Sequence, residues 1–215
     1  MQAFSIKEEI KYGWKSTREH IVFLVRLVVG IFAINAGFSY AEELLSSTGN
    51  NLIVFTLFVV SLLISFLLGI GLIYITLKIY DENKAAYKDL LEPAPLLWRF
   101  IGASAVYTLI VIAGLILFVV PGIIWAIKYK FYKYALIDEK LGVMDSIRKS
   151  RDITEGEKWN IFLFGLVLAL INILGALALF VGLFVTIPIT IMATVYVYRK
   201  LLHRELVPVP ETPKV

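Results

Sequence analysis

Apolar and polar positions fall into long blocks along this chain, not into the short alternations of a soluble strand or a half-buried helix. Apolar runs begin near Ile21, Leu52, Phe100, Pro121 and Trp159, and short polar stretches separate them. No charged residue occurs from Phe100 to Ile127, or from Trp159 to Tyr198. A membrane-crossing helix needs about 20 apolar residues, because each adds ~1.5 Å and the hydrocarbon layer is ~30 Å thick. The pattern predicts crossings at about 20–40, 52–79, 100–120, 121–136, 160–179 and 182–202. The run after Trp159 is too long for one crossing and suits two, divided near Gly175 to Gly182. Pro121 and Gly122 divide the third from the fourth, since proline lacks an amide donor and clashes with the preceding turn. Pro188 is expected to kink the sixth helix without ending it.

The polar blocks carry a second pattern. Ser5 and Glu8 have the spacing of a capping box, and Ile6, Ile10, Trp14 and Thr17 follow on one helical stripe. Lys7, Lys11 and Lys15 fall on another face. An amphipathic helix over 5–17 is predicted, lying among headgroups or capping the bundle. Leu141, Val143, Met144 and Ile147 form the apolar edge of a similar segment, with Asp145, Arg148, Lys149 and Asp152 on its polar edge. A weaker one runs from Asp81 to Leu91. Trp98-Arg99-Phe100-Ile101 and Trp159-Asn160-Ile161-Phe162 then occupy equivalent places, which raises a threefold repeat of amphipathic stretch plus hairpin.

Composition agrees with this reading. Of 215 residues, 59% are hydrophobic and 18% charged, against about 25% charged in soluble domains. The absence of cysteine removes disulfides, thiolate catalysis and Cys-ligated metals. Two histidines, His20 and His203, are too few for a His-built metal site. The apolar run from Ile21 to Tyr40 reads as a retained helix, because acidic residues precede it and Arg26 interrupts it.

The net charge of +4 matters less than where the charges sit. Of the 21 Lys and Arg, all but Arg26 fall in four segments, 1–20, 78–99, 128–158 and 199–215, at or beyond the same end of the predicted crossings. The connection 41–51 carries Glu42 and Glu43 and no basic residue. The positive-inside rule then puts both termini in the cytoplasm. The expected fold is all-α: a single integral membrane domain over 1–206, six transmembrane helices as three hairpins with cytoplasmic amphipathic helices. A proline-rich mobile tail at 207–215 is expected to follow. The expected location is the cytoplasmic (inner) membrane of a bacterium or archaeon.

Four basic residues are candidate lipid headgroup contacts. Arg26 lies about 7–8 Å inside the first helix, where its long stem can snorkel to the headgroups. Lys128, Lys130 and Lys133 alternate with aromatic residues, as in an interfacial belt that attracts anionic lipid. Asn35, Asn172, Thr186 and Thr190 are expected to hydrogen-bond between helices. Pro121, Gly122 and Pro188 are candidate structural breaks. No nucleophile with a partner is found: Gly37-Phe38-Ser39-Tyr40 lacks the closing glycine of a nucleophile elbow, and no phosphate loop occurs.

The stretch Phe118-Val119-Val120-Pro121-Gly122-Ile123-Ile124-Trp125 is followed by Tyr134-Ala135-Leu136-Ile137-Asp138-Glu139. Then come Met144-Asp145-Ser146-Ile147-Arg148-Lys149-Ser150-Arg151 and Gly156-Glu157-Lys158-Trp159. Over roughly residues 100–200 this order resembles the membrane domain attached to some bacterial glycerophosphodiester phosphodiesterases, which also occurs in stand-alone integral membrane proteins. In those enzymes the chemistry resides in a separate soluble barrel. The resemblance therefore implies a membrane domain without catalytic residues. The expectation is a non-catalytic membrane protein without cofactor or metal. Its expected partners are anionic inner-leaflet lipids, a protein partner or a second copy, and not nucleic acid. The alternative is a small transporter or permease-like subunit for a small solute or lipid.

Overall fold

A computed structural model describes residues 5–47, 49–178 and 180–206. The described residues form nine α-helices and no strand: α1 (Ile6–Glu19), α2 (Ile21–Ser46), α3 (Asn51–Glu82), α4 (Leu97–Leu117), α5 (Val119–Lys128), α6 (Tyr132–Asp138), α7 (Val143–Ile153), α8 (Lys158–Leu177) and α9 (Leu183–Leu206). Two 3-10 turns, Tyr87–Leu90 and Ala94–Leu96, lead into α4. Among these, five stretches are long and apolar enough to cross a membrane: Ile21–Ser46, Asn51–Glu82, Tyr87–Leu117, Lys158–Leu177 and Leu183–Arg204. Their outward faces are apolar as well. Phe55, Leu109, Ile116 and Leu174 stand exposed, where a soluble protein would present polar side chains. The protein is thus an all-helical, multi-pass membrane protein. The expected tail at 207–215 lies outside the described residues.

Several helix boundaries differ from the expected ones. Glu42 and Glu43, expected in a connection, belong to α2, and Glu42 accepts a 2.6 Å hydrogen bond from the Ser61 hydroxyl of α3. The turn between α4 and α5 falls at Phe118, whose backbone is extended, and not at Pro121-Gly122. Pro121 instead occupies the first turn of α5, where an amide would have no helical acceptor. Gly122 serves contact: a Cβ there would come within 2.9 Å of the Leu115 nitrogen, and one on Gly114 within 2.8 Å of Gly122 Cα. Gly175 and Gly182 make the equivalent approach between α8 and α9. The offset of 61 residues from Trp98 to Trp159 also separates Gly114 from Gly175. Pro188 lies inside a continuous α9.

The segment expected to form one helix over 121–136 is divided. α5 stops at Lys128, and α6 starts at Tyr132. The intervening Tyr129-Lys130-Phe131 contains no glycine or proline. Its loose backbone ends are held from α7: the Ser150 hydroxyl accepts the Phe131 amide at 3.0 Å and donates to the Lys128 carbonyl at 3.2 Å. The Thr154 hydroxyl donates to the same carbonyl at 3.0 Å. A helix interruption frees backbone groups that need such partners when buried.

The capping box expected at Ser5 and Glu8 is not formed. The Ser5 side chain makes no cap, and its amide donates to Glu9 Oε1 at 3.3 Å, one residue further on. α1 docks on α9 through Glu9, Gly13, Ser16 and Thr17, while Trp14 of the expected apolar stripe is 53% exposed.

One end of the bundle gathers most of the ion pairs. Arg199 of α9 bridges Asp138, at the end of α6, and Asp81, at the end of α3. Arg204 pairs with Glu157 ahead of α8, and Lys200 with Glu9 of α1. Arg99, near the start of α4, donates to the Lys140 carbonyl at 3.1 Å. The end of α6 therefore lies beside the start of α4, so α5 and α6 together carry the chain back along α4.

Candidate functional site: a lysine-lined cleft at the helix break

The break between α5 and α6 sets two lysines into the bundle. Lys130 Nζ lies 5.4 Å from the Phe164 ring centroid, and within 3.6 Å of where a Cβ on Gly165 would stand. Both residues are about two turns inside α8. Lys133 Nζ lies 5.8 Å from the rings of Phe100 and of Tyr132. Such ring faces attract an ammonium group but do not neutralise it. Among the described residues no carboxylate pairs with either lysine. The contrast with other half-buried lysines is plain: Lys78 has Asp89 at 3.1 Å, Lys149 has Glu139 at 3.6 Å and Lys200 has Glu9 at 3.2 Å.

Both lysines line a cleft of about 320 Å³ between α4, α6, α8 and α9, together with Tyr107, Asn172, Thr190 and Thr194. Lys133 also borders an adjoining cavity of about 620 Å³ along α4, and one of about 410 Å³ along α3. Leu62, Phe66, Leu72 and Ile73 give the latter an apolar wall. The arrangement is a cationic, hydroxyl-rich pocket opening onto greasy grooves. It can hold an anion.

The four candidate basic residues do not converge. Lys130 and Lys133 share the cleft. Lys128 sits at the end of α5, with its ammonium 5.8 Å from the Tyr129 ring and its carbonyl held by α7. Arg26 is on the exposed face of α2, and no described residue hydrogen-bonds or ion-pairs with it. Pro121 and Gly122 lie at the far end of α5, away from the lysines, and Pro188 is in α9.

Of the polar intrahelical residues, Asn35 accepts from Ser65 at 2.6 Å, joining α2 to α3. Asn172 donates to Thr190 at 3.4 Å, joining α8 to α9. Asn172 Oδ1 and Thr186 Oγ1 are buried without partners. Reading the sequence missed Ser150 and Thr154 as the residues that set the break. The one available signal was two small hydroxyl residues a helical turn apart, Ser150 in the amphipathic α7 and Thr154 capping its end. Among the described residues no group of three His, Asp or Glu could hold a metal.

A second buried ionisable group lies at the end of the bundle. Glu9 is fully buried, and its Oε2 has no partner. Burial raises its pKa above the ordinary carboxylate value, against the lowering effect of Lys200. A carboxyl with a raised folded-state pKa binds its proton more tightly when docked. Docking of α1 on α9 is therefore expected to be strongest below the ordinary carboxylate pKa. It should weaken as pH rises from there to the raised value, and stay level above it. Amide hydrogen exchange of α1 against pH, corrected for intrinsic rates, measures this. Glu9→Gln should flatten the profile, and a profile unchanged by that substitution would refute the assignment.

No family model matches the chain, and neither a curated protein nor a solved structure is found to be similar to it.

Proposed function

We propose that the protein is a non-catalytic, lipid-binding integral membrane protein that crosses the bilayer six times, with both termini in the cytoplasm. The fourth crossing is the broken helix α5–α6, too interrupted to qualify by length alone. The paired return of α5 and α6 along α4, and the basic residues around the gathered helix ends, support this topology. The membrane is then the cytoplasmic membrane of a bacterium or archaeon. This reading agrees with the resemblance to the phosphodiesterase-linked membrane domain, taken without its enzyme.

The observation that carries the lipid reading is the half-buried, carboxylate-free pair Lys130 and Lys133 at the break. Partly desolvated ammonium groups without a counter-ion are costly, and an anionic lipid drawn in from the inner leaflet would supply one. Replacing Lys128, Lys130 and Lys133 together by alanine is expected to cut the acidic phospholipid retained through purification by at least tenfold. Mass spectrometry of the extracted lipid checks this, and unchanged retention would overturn the reading.

The broken helix also favours a second reading, a small-solute permease. Discontinuous membrane helices commonly form substrate sites. Robust flux of a solute in proteoliposomes would establish that reading instead.

A further inference from the structure

The charge and donor inventory of the cleft narrows the kind of anion that suits it, and this inference rests on the lipid-binding reading above. The neutral donors along the cleft are largely spent within the protein. The Thr190 hydroxyl donates to the Ile187 carbonyl at 2.9 Å, and the Thr194 hydroxyl to the Thr190 carbonyl at 2.6 Å. The Tyr107 hydroxyl donates to the Ala126 carbonyl at 3.2 Å, and the Tyr132 hydroxyl to Ser104 Oγ at 2.9 Å. What remains is the pair of ammonium groups on Lys130 and Lys133, each with three N–H donors. No Asp or Glu lines this cleft or either of the two cavities that Lys133 also borders. The cleft therefore carries a surplus of two positive charges.

A monoanion placed there leaves one ammonium uncompensated, and a partly buried charge without a partner is costly. A dianion leaves none. A phosphodiester carries a single charge on two free oxygens. A phosphomonoester carries about −1.5 to −2 near neutral pH and offers three acceptor oxygens. Both the charge count and the donor count thus favour the monoester. At about 320 Å³ the cleft is compact, so one occupant meets both lysines that line it. The cavity along α3, whose only charged lining residue is Lys133, gives an attached acyl chain an apolar wall.

We propose that the cleft between α4, α6, α8 and α9 selects a lipid phosphomonoester, a dianionic headgroup neutralised by Lys130 and Lys133 together, over monoanionic phosphodiester lipids. The selection works by counting charge: two lysines without a carboxylate match two negative charges on one small group.

Native mass spectrometry of the purified full chain, titrated with single lipids, tests the proposal. The probes are phosphatidate, phosphatidylmethanol (its monoanionic methyl ester), phosphatidylethanolamine and inorganic phosphate. One equivalent of phosphatidate should bind at least roughly tenfold more tightly than phosphatidylmethanol, a factor worth about 1.4 kcal/mol. Phosphatidylmethanol should in turn exceed phosphatidylethanolamine. Lys130→Met and Lys133→Met, each alone, should bring phosphatidate to within about twofold of phosphatidylmethanol, because one remaining ammonium matches one charge. Continued binding of phosphatidylmethanol by these variants shows that they are folded. Lys130→Arg, which keeps the charge, should keep the preference. Equal binding of phosphatidate and phosphatidylmethanol by the wild type would overturn the proposal and leave the wider lipid-binding reading intact. A preference that survives both single methionine variants would also overturn it. Inorganic phosphate should not displace phosphatidate at equal concentration; displacement would identify a free-phosphate site and remove the lipid from both readings. Absence of any preference for acidic lipid would likewise remove both.

Discussion

Replacing Asp138 by alanine is expected to destabilise the fold by about 3–5 kcal/mol, the usual cost of removing one partner of a buried ion pair. Asp138 closes α6 and receives both terminal nitrogens of Arg199, at 2.6 and 2.8 Å. It also accepts the Tyr198 hydroxyl at 2.9 Å. The pair is mostly sheltered, with 14% of the arginine side chain and 16% of the carboxylate exposed. Without Asp138 the guanidinium keeps only Asp81, which is far more exposed, and the Tyr198 hydroxyl loses its acceptor. Arg199 joins the ends of α3, α6 and α9, so three elements loosen together. Arg199→Lys should fall between wild type and Asp138→Ala, because an ammonium group cannot grip both oxygens in a fork. Equilibrium unfolding in detergent micelles measures all three. A loss below about 1 kcal/mol would mark the pair as a screened surface contact.

The second large effect is expected at the helix break. Ser150→Ala leaves the Phe131 amide buried without an acceptor, at a cost of about 1–3 kcal/mol. Both Ser150 and Thr154 are fully buried. The Lys128 carbonyl still keeps the Thr154 hydroxyl in that variant, and keeps Ser150 in Thr154→Ala. Only the double substitution strands amide and carbonyl together. The double variant should therefore lose more than the two single losses combined. Strict additivity in the same unfolding measurement would contradict the shared role of the two hydroxyls.

These two sites show what was legible in the sequence and what was not. The long uncharged runs located the crossing helices because a bilayer imposes length and apolarity residue by residue. The glycines and prolines near 121 and 182 marked hairpins, though Phe118 makes the first turn. The break at Tyr129-Lys130-Phe131 left no local mark, because partners some twenty residues later on α7 impose it. Lys130 and Lys133 were legible as cations beside aromatic residues. Their lack of a carboxylate was not, since it depends on which acidic residues the fold brings near. Arg199 and Asp138 are 61 positions apart, and nothing in either neighbourhood points to the other. At the N-terminus, Glu8 and Glu9 both suit a first turn. Docking against Lys200 selected Glu9.

In the proposed six-crossing topology, α5 and α6 together return the chain across the membrane. The protein has no cysteine, so single cysteines at Ser46, Phe118 and Arg148 can be labelled with a membrane-impermeant maleimide without background. All three positions are exposed or close to helix ends. With six crossings, Ser46→Cys and Phe118→Cys should react from the outer side, and Arg148→Cys only from the cytoplasmic side. Labelling of Arg148→Cys from the same side as Phe118→Cys would contradict it.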